Sequence, residues 1–309
     1  MLASFLHAAV IAGTPLSFAI LGEILTERAG KLNLGVEGLM LMGAVIGFKT
    51  ALLTSNPFLA LSGAALAGAA GALIFAFLTV TLRSNQVVTG LALTIFGTGF
   101  ASFAGQGLAG FVVPEQVKSF FHPLPLPLLS RIPFLGDVLF NHSIFVYAGY
   151  FVVIAAYFYL YKTHFGLNLR AVGENTAAAD AAGINITKYK FVHILAGGVL
   201  AGLGGAFLSL VYVPTWQDNI TTGRGWIAVA LVIFCKWNPI RIFIGAFLFG
   251  GLDIIGFRLQ GLNIHISQYF FDMLPYIVTV LILIMMSVKD SKESSPPAEL
   301  GRPYFREDK

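Results

Sequence analysis

The chain has 309 residues, of which 57% are hydrophobic and only 11% are charged. Soluble domains carry about 25% charged residues, so this chain has too few to cover a soluble surface. Its net charge of +4 does not indicate nucleic-acid binding, because the basic residues are scattered through short loops. The single cysteine, Cys235, and six dispersed histidines predict neither a disulfide nor a metal site. We therefore expect a multi-span protein in a lipid bilayer, with no nucleic-acid partner.

Nine apolar stretches approach the roughly 20 residues that a helix needs to cross a hydrocarbon core about 30 Å thick. The seventh is short and the second carries Lys49, so either could be a broken or partly re-entrant helix. The sequence predicts an all-α integral membrane protein with about nine transmembrane helices, in a range of eight to ten, some of them discontinuous. The stretches lie near residues 5–22, 37–54, 58–82, 86–107, 143–162, 189–213, 225–237, 240–257 and 269–288.

The distribution of basic residues predicts the orientation of the chain. With the N-terminus outside, fourteen Lys and Arg residues fall on one side and five, including Arg224 and Arg258, fall on the other. Since basic residues concentrate in cytoplasmic loops, we predict an external N-terminus and a cytoplasmic C-terminus. The domain organisation is then a transmembrane domain over residues 1–288 and a polar cytoplasmic tail over 289–309, which we expect to be mobile.

Two loops are long. The external loop, about 108–142, carries Pro123, Pro125, Pro127 and Pro133, which exclude a continuous helix and favour extended polyproline geometry, so we expect a rigid cap. The other, about 163–188, is cytoplasmic in the predicted topology.

The cytoplasmic loop contains a short helix by its sequence pattern. Asn175 or Thr176 can cap its N-terminus, TAAADAA consists mostly of strong helix formers, and Gly183 supplies a left-handed residue that ends it. Glu174 lies at the positive end of the helix dipole, and the alanine face would let a partner approach closely. Because two turns of helix are marginal in water, a neighbouring loop or another protein must hold this one. A plain connecting loop is the alternative.

At this loop the sequence resembles a known family. The run AVGENTAAADAAGINITKYK looks like the coupling-loop signature of membrane-spanning subunits of bacterial ABC importers, in the branch for ribose-type sugars, nucleosides and branched-chain amino acids. GEILTERAGKLNLGVEGLMLMGA at 22–44, TTGRGWIAVALVIFCKWNP at 221–239, QVVTG at 86–90 and DMLPYIVTV at 272–280 are similar to other motifs of that family. The nucleoside and simple-sugar group is the most similar. The strict Glu-Ala-Ala-x-x-x-Gly form is absent, since Glu174 is followed by Asn175 and Thr176, and sugar and nucleoside permeases resemble this looser form.

The resemblance implies a transport mechanism in which this subunit makes no chemical bond. A partner ATP-binding ABC subunit would hold ATP and Mg, a second related permease chain would complete the pathway, and an extracytoplasmic solute-binding lipoprotein would deliver solute. The chain itself would bind no cofactor, and it has no Gly-x-x-x-x-Gly-Lys-Ser/Thr phosphate loop. The residues that would couple to the ATPase are Gly173, Glu174, Asn175, Ala177, Ala178, Asp180, Gly183 and Ile184.

A nucleoside or sugar leaving water needs polar partners, and a base can stack on an aromatic ring. Asp253 is the acidic residue deepest in an apolar stretch, where a charge costs roughly 2.5 to 3.5 kcal/mol. Glu23, Glu37, Asp253 and Asp272 are expected to pair with a basic residue such as Arg258, or to organise helix ends, ahead of contacting solute. The other pathway candidates are Asn85, Gln86, Thr89, Phe96, Phe100, Thr222 and Trp226, for each of which simple packing between helices is the alternative.

Two other classes of protein compete with this interpretation. A secondary transporter driven by a proton or sodium gradient would need an ionisable cluster at mid-depth, for which Asp253 is the only sequence evidence. An intramembrane enzyme would need converging reactive groups, and the chain has no His-Glu-x-x-His, Gly-x-Ser-x-Gly or Asp-Asp motif.

Overall fold

A computed structural model describes residues 2–260, 268–288 and 295–305. Long apolar helices make up most of the described chain, and two short strands lie near the middle of the sequence. In chain order the elements are α1 (Leu2–Arg28), α2 (Val36–Thr54), α3 (Pro57–Ala76, continued by a π-helical turn over Phe77–Thr81), α4 (Gln86–Ala104), α5 (Glu115–Phe120), β1 (Pro123–Pro125), α6 (Leu135–Leu139) and β2 (Asn141–Ser143). They continue with α7 (Ile144–Lys162), α8 (His164–Glu174), α9 (Thr176–Ala181), α10 (Ile186–Phe207, continued by a π-helical turn over Leu208–Tyr212), α11 (Arg224–Cys235), α12 (Ile242–Gln260) and α13 (Gln268–Val288).

Each of the nine predicted apolar stretches coincides with a helix. Among the described residues, α1, α2, α3 with its π turn, α4, α7 and α10 with its π turn are long and apolar enough to cross a membrane. Helices α12 and α13 are 19 and 21 residues long, whereas α11 has only 12. The chain is therefore a multi-pass membrane protein, and its exact number of crossings stays a prediction.

Helices α1, α2, α3 and α10 form the centre of the bundle, and glycines let them approach closely. A Cβ atom on Gly43 of α2 would lie 2.3 Å from the Cα of Gly202 on α10. A Cβ on Gly198 of α10 would lie 2.5 Å from the carbonyl oxygen of Gly68 on α3. Neither position has room for a side chain. The small residues four apart therefore serve helix packing, as their spacing predicts.

The chain leaves helical structure between α1 and α2. Residues 29–35 have no helical structure, yet Lys31 and Asn33 are only 2% exposed. Helix α2 runs unbroken through Lys49, which is exposed, so the expectation of a break there is wrong. The buried segment keeps its backbone satisfied through side chains: Glu23 accepts a hydrogen bond from the Asn33 N–H at 2.8 Å, and Gln86 accepts one from the Leu32 N–H at 2.8 Å.

The segment between α4 and α7 is a small cap with mixed structure. Strands β1 and β2 pair antiparallel, with Pro123 opposite Ser143, and the short helices α5 and α6 flank them. The prolines do exclude a continuous helix, and Pro123–Pro125 is extended as expected. This two-stranded sheet corrects the expected all-α architecture.

The two long loops lie at opposite ends of α1. Near its start, the His7 ring nitrogen Nδ1 lies 2.8 Å from the carbonyl oxygen of Asp137 in the cap. At its other end, Arg28 forms a 3.8 Å ion pair with Glu174 of the 163–188 loop. The alternating loop assignment is consistent with this placement. Which end faces the cytoplasm stays a prediction.

Candidate functional site

The short helix predicted in the 163–188 loop is α9. The Asn175 side chain caps it by accepting a hydrogen bond from the Ala178 N–H at 2.8 Å. Gly183 follows with φ of +80°, and the Ile184 N–H closes the end by donating to the carbonyl of Ala179 at 3.1 Å. Asn and Gly are the residue types that these two positions favour. Of the two predicted caps Asn175 is the right one, because the Thr176 hydroxyl instead donates to the carbonyl of Val172 at 2.8 Å.

A second helix in the loop, α8, was not predicted from the sequence. It runs directly into α9, with Asn175 between them. The Thr163 hydroxyl oxygen caps α8 by accepting from the Gly166 N–H at 3.1 Å. A threonine is a favoured N-cap residue, and Thr163 is the signal that could have located the start of this helix.

Helix α9 presents a face of small apolar residues to solvent. Thr176 and Ala179 are buried against the rest of the protein. The opposite face is exposed and carries only methyl groups, on Ala177, Ala178, Ala181 and Ala182. A protein partner can approach such a surface closely, because no long side chain must be displaced. We call these four alanines the coupling face.

Gly173 and Glu174 hold the C-terminal segment rather than extend the coupling face. The Glu299 N–H donates to the carbonyl of Gly173 at 3.0 Å, and the Ala298 N–H lies 3.4 Å from Glu174 Oε2. Asp180 accepts a hydrogen bond from the Tyr304 hydroxyl at 2.9 Å. The expectation of a mobile tail is therefore wrong for residues 295–305, because this segment is fixed to α8 and α9.

A second polar site lies at the start of α11. Arg224 Nη2 donates to Asp253 Oδ2 of α12 at 2.5 Å, and Nη1 donates to the Thr222 hydroxyl at 2.6 Å. The guanidinium also lies 5.6 Å from the ring centre of Tyr212. The Tyr276 hydroxyl of α13 abuts Gly223. We call Tyr212, Thr222, Arg224, Asp253 and Tyr276 the polar cluster.

The polar cluster lies deep in the bundle. Helix α11 rises about 18 Å over its 12 residues. Just beyond its other end, the Trp237 indole N–H donates to Glu27 Oε2 of α1 at 2.5 Å, so that end lies level with the end of α1. Arg224 therefore lies about 18 Å along α11 from the end that is level with the end of α1. The sequence predicts Arg224 on the external side; in the structure Arg224 is the first residue of α11, and the side of the membrane that it faces stays a prediction.

Asp253 is paired, as its depth predicts, but with Arg224. Arg258, the partner suggested from sequence, lies on α12 where its side chain is outside the described part of the structure; the same holds for the Asp272 side chain on α13. The Arg224 side chain is only 12% exposed, and it requires such a counter-charge because an isolated buried charge is costly.

Glu37 fixes the segment that carries the polar cluster. Its side chain is 4% exposed and accepts three hydrogen bonds. Oε1 accepts from the Thr221 hydroxyl at 2.5 Å and from the Gly223 N–H at 2.8 Å, and Oε2 accepts from the Gly225 N–H at 2.6 Å. A carboxylate at a helix N-terminus satisfies backbone groups that would otherwise have no partner. Glu37 thus organises a helix end, which is the role favoured from sequence.

The pathway candidates on α4 separate into two groups. Asn85 caps α4 by accepting from the Val88 N–H at 3.1 Å, and the Thr89 hydroxyl donates back to the Asn85 carbonyl at 2.7 Å. Gln86 is buried and bridges the 29–35 segment to Arg302 of the tail, whose carbonyl accepts from Gln86 Nε2 at 3.4 Å. These three residues build the beginning of α4, and the structure does not bring them to the polar cluster.

Phe96 and Phe100 lie deeper on α4. Their rings stack with centroids 6.3 Å apart, and Phe96 is half exposed. Gly97, next to Phe96, packs on Gly38 of α2, and Gly38 is next to Glu37. Both phenylalanine rings therefore lie at about the same level of the bundle as the polar cluster. Trp226, 36% exposed, lies one half-turn along α11 from Arg224. The structure therefore groups Thr222 and Asp253 at the polar cluster. Trp226, two residues after Arg224, lies on the opposite face of α11, and both phenylalanines lie on α4.

Comparison with known proteins identifies the family. The family described as "Branched-chain amino acid transport system / permease component" matches residues 5–283. A nucleoside ABC transporter permease protein of Lactococcus lactis is 34% identical over 89% of this chain and 90% of its own length. A guanosine ABC transporter permease protein of Bacillus subtilis is 33% identical over 99% and 98%. A Haloferax volcanii protein provisionally named as a glucose ABC transporter permease protein is 36% identical over 99% and 98%.

Proposed function

The chain belongs to the family of branched-chain amino acid transport system permease components, as a permease of the nucleoside and sugar type, and we propose that it serves an ATP-driven importer. Permease subunits of this kind are not enzymes, because the ATPase is a separate subunit. The proposed cargo is a nucleoside or a related simple sugar such as ribose, carried across the plasma membrane. The resemblance stated from the sequence motifs is confirmed at the level of the family.

The observation that carries the proposal is the coupling face. Helix α9 is too short to be stable alone, yet it is capped at both ends and anchored on its buried side. Its exposed alanines offer a smooth surface for a groove in a partner ATPase that binds ATP and Mg. To transmit motion, α9 must bind the two states of that ATPase with different affinity, since equal affinity would shift no equilibrium. A second related permease chain and an extracytoplasmic solute-binding lipoprotein complete the proposed assembly.

The polar cluster is the proposed contact for the solute. Asp253 can accept hydrogen bonds from sugar hydroxyls, and Arg224 can donate to ring or hydroxyl oxygens. Tyr276, 45% exposed, offers an aromatic face on which a base or sugar ring can stack. In the structure Arg224 and Asp253 bind each other, so an entering solute would exchange with that ion pair. A hydroxyl-rich solute suits this exchange, because it supplies both donors and acceptors.

Uptake into proteoliposomes tests the proposed function. The permease pair and its ATPase are reconstituted with the ATPase side accessible, and radiolabelled guanosine and ribose are offered with the binding protein. We expect uptake that requires hydrolysable ATP and is unaffected by collapse of ion gradients. Gradient-driven uptake by this chain without the ATPase would overturn the proposal and favour a secondary transporter, for which the partly buried ion pair of Arg224 and Asp253 is the supporting observation.

A further inference from the structure

A polar cavity of about 460 Å³ lies beneath the bundle, between the coupling loop and the C-terminal segment. Four separate parts of the chain form its walls: the buried 29–35 segment, the π turn after α3, the connection from α9 to α10, and the tail. Its charged lining residues are Lys31, Arg83, Asp180 and Lys190. Cavities of 300 to 1,000 Å³ are of the size that binds small-molecule ligands.

The lining of the cavity carries more positive than negative charge. Three of its four charged lining residues are basic. The acidic one, Asp180, already accepts the hydrogen bond from the Tyr304 hydroxyl that fastens the tail. Within the described ranges the structure has two ion pairs, Arg28 with Glu174 and Arg224 with Asp253, and neither includes a basic residue of the cavity.

Two of the basic side chains are deeply buried next to each other. Lys31 and Lys190 are 2% and 3% exposed. Lys31 Nζ donates to the carbonyl of Thr79 at 2.8 Å, and Lys190 Nζ lies 5.8 Å from the ring centre of Tyr304. Burial and the repulsion from Lys190 lower the pKa of Lys31 from 10.5 to about 7. Glu299 of the tail attracts Lys190 electrostatically, but it does not line the cavity. An anion bound next to Lys31 and Lys190 would favour the charged form of both side chains.

The start of α10 adds to the positive potential. Asn185, Ile186 and Thr187 line the cavity, and α10 begins at Ile186 and runs for 22 residues. The N-terminus of a helix carries a partial positive charge, and this one therefore supports the same ligand chemistry as the lysines. Arg83 contributes a planar guanidinium, held 4.6 Å from the ring centre of Phe305. Guanidinium and ammonium groups around a helix N-terminus are the usual arrangement for binding phosphate.

We propose that this cavity binds a phosphate group, from the headgroup of an anionic lipid or from a soluble phosphate compound. The bound anion neutralises Lys31 and Lys190 and joins the tail, the 29–35 segment and the start of α10 around one ligand. Because Asp180 and Tyr304 also line the cavity, the ligand stiffens the base of α9. The site is separate from the polar cluster and from the coupling face, so its occupancy can be measured on the chain alone.

The test is the thermal stability of the purified full-length chain. In detergent at pH 7, sodium phosphate is titrated against sodium chloride at matched ionic strength. We expect phosphate to raise the unfolding midpoint saturably, and Arg83→Gln, an exposed position, to weaken the apparent affinity at least tenfold. Lys31→Met should abolish the response. Lys188→Gln changes an exposed lysine on the first turn of α10 that does not line the cavity, and it should respond as wild type.

A second arm distinguishes the two sources of phosphate. The chain is placed in nanodiscs of phosphatidylcholine with or without phosphatidylglycerol. A rise in the midpoint with phosphatidylglycerol that Arg83→Gln removes assigns the site to a lipid headgroup, whereas a response to sodium phosphate alone assigns it to a soluble compound. If wild type responds to neither, or if Arg83→Gln responds as strongly as wild type in both arms, the proposal is refuted.

Discussion

Replacement of Glu37 by glutamine tests how the polar cluster is held in place. The substitution keeps the shape of the side chain but exchanges one carboxylate oxygen for an NH₂ group. The amide oxygen can still accept from the Thr221 hydroxyl and the Gly223 N–H. The NH₂ group then faces the Gly225 N–H, whose 2.6 Å hydrogen bond is lost.

The magnitude follows from those contacts. A hydrogen bond to a charged group is worth about 1.5 to 3 kcal/mol, and the buried Gly225 N–H is left unsatisfied. Loss of the negative charge at the N-terminus of α11 adds about 0.3 to 1 kcal/mol. We therefore expect Glu37→Gln to lower the free energy of unfolding by about 2 to 4 kcal/mol. Uptake should fall with it, because Thr222 and Arg224 lie on the segment that Glu37 holds.

The assay is thermal unfolding in detergent, together with binding of the ATPase. Glu115→Gln is the matched control, since Glu115 also lies in the first turn of a helix but is exposed. It should leave the unfolding midpoint unchanged. Glu37→Gln should still bind the ATPase, because the coupling face on α9 lies beyond the end of α11 that is remote from Glu37. Equal midpoints for the two variants would refute the role assigned to Glu37.

Four further predictions concern the coupling loop, the polar cluster and the buried lysine. Ala178→Trp should leave the chain inserted but abolish ATPase binding or transport, because it places a large side chain on the coupling face. The control His164→Trp, at the exposed start of α8, should keep both ATPase binding and transport. Normal uptake by Ala178→Trp would contradict the assignment of the coupling face. Gly183→Pro should act in the same direction, since proline cannot adopt φ of +80°, and a wild-type complex with the ATPase would count against it. Asp253→Asn should reduce uptake at least tenfold without loss of ATPase binding; unchanged uptake kinetics would remove Asp253 from the pathway. In phosphate-free buffer, the free energy of unfolding of the wild type should rise relative to that of Lys31→Met as pH rises from about 7 toward 10.5. In that range Lys31 keeps its proton in the unfolded state but has lost it in the folded state. Identical pH profiles of the two proteins would show that the pKa of Lys31 is not lowered.

The sequence predicts the helices well because their signals are local. Each long apolar run became a helix, and Asn175 and Gly183 mark the ends of α9 through bonds to residues at most four positions away. The close packing at Gly43 and Gly198 was also readable from the four-residue spacing. In these cases the responsible interaction lies within one helix turn or on one helix face.

The site itself depends on contacts that local patterns do not show. Arg224 looked like a loop residue because it precedes an apolar stretch, and its pairing with Asp253 spans 29 positions. Glu37 reaches Gly225 over 188 positions, and Tyr304 reaches Asp180 over 124. The polar, proline-containing composition of the tail favours mobility, but Pro297 is buried and neighbouring backbone groups bond to α8. Tertiary contacts overrode composition there.

Site-specific crosslinking at the coupling face tests the central claim most directly. The single cysteine, Cys235, is buried and is first replaced by serine. Ala178→Cys is then labelled with a short photocrosslinker in membranes that contain the ATPase, with His164→Cys as the control. We predict a crosslink to the ATPase from position 178, with a yield that changes on addition of ATP, and a much weaker one from position 164. No crosslink from position 178 in a complex that still transports solute would contradict it.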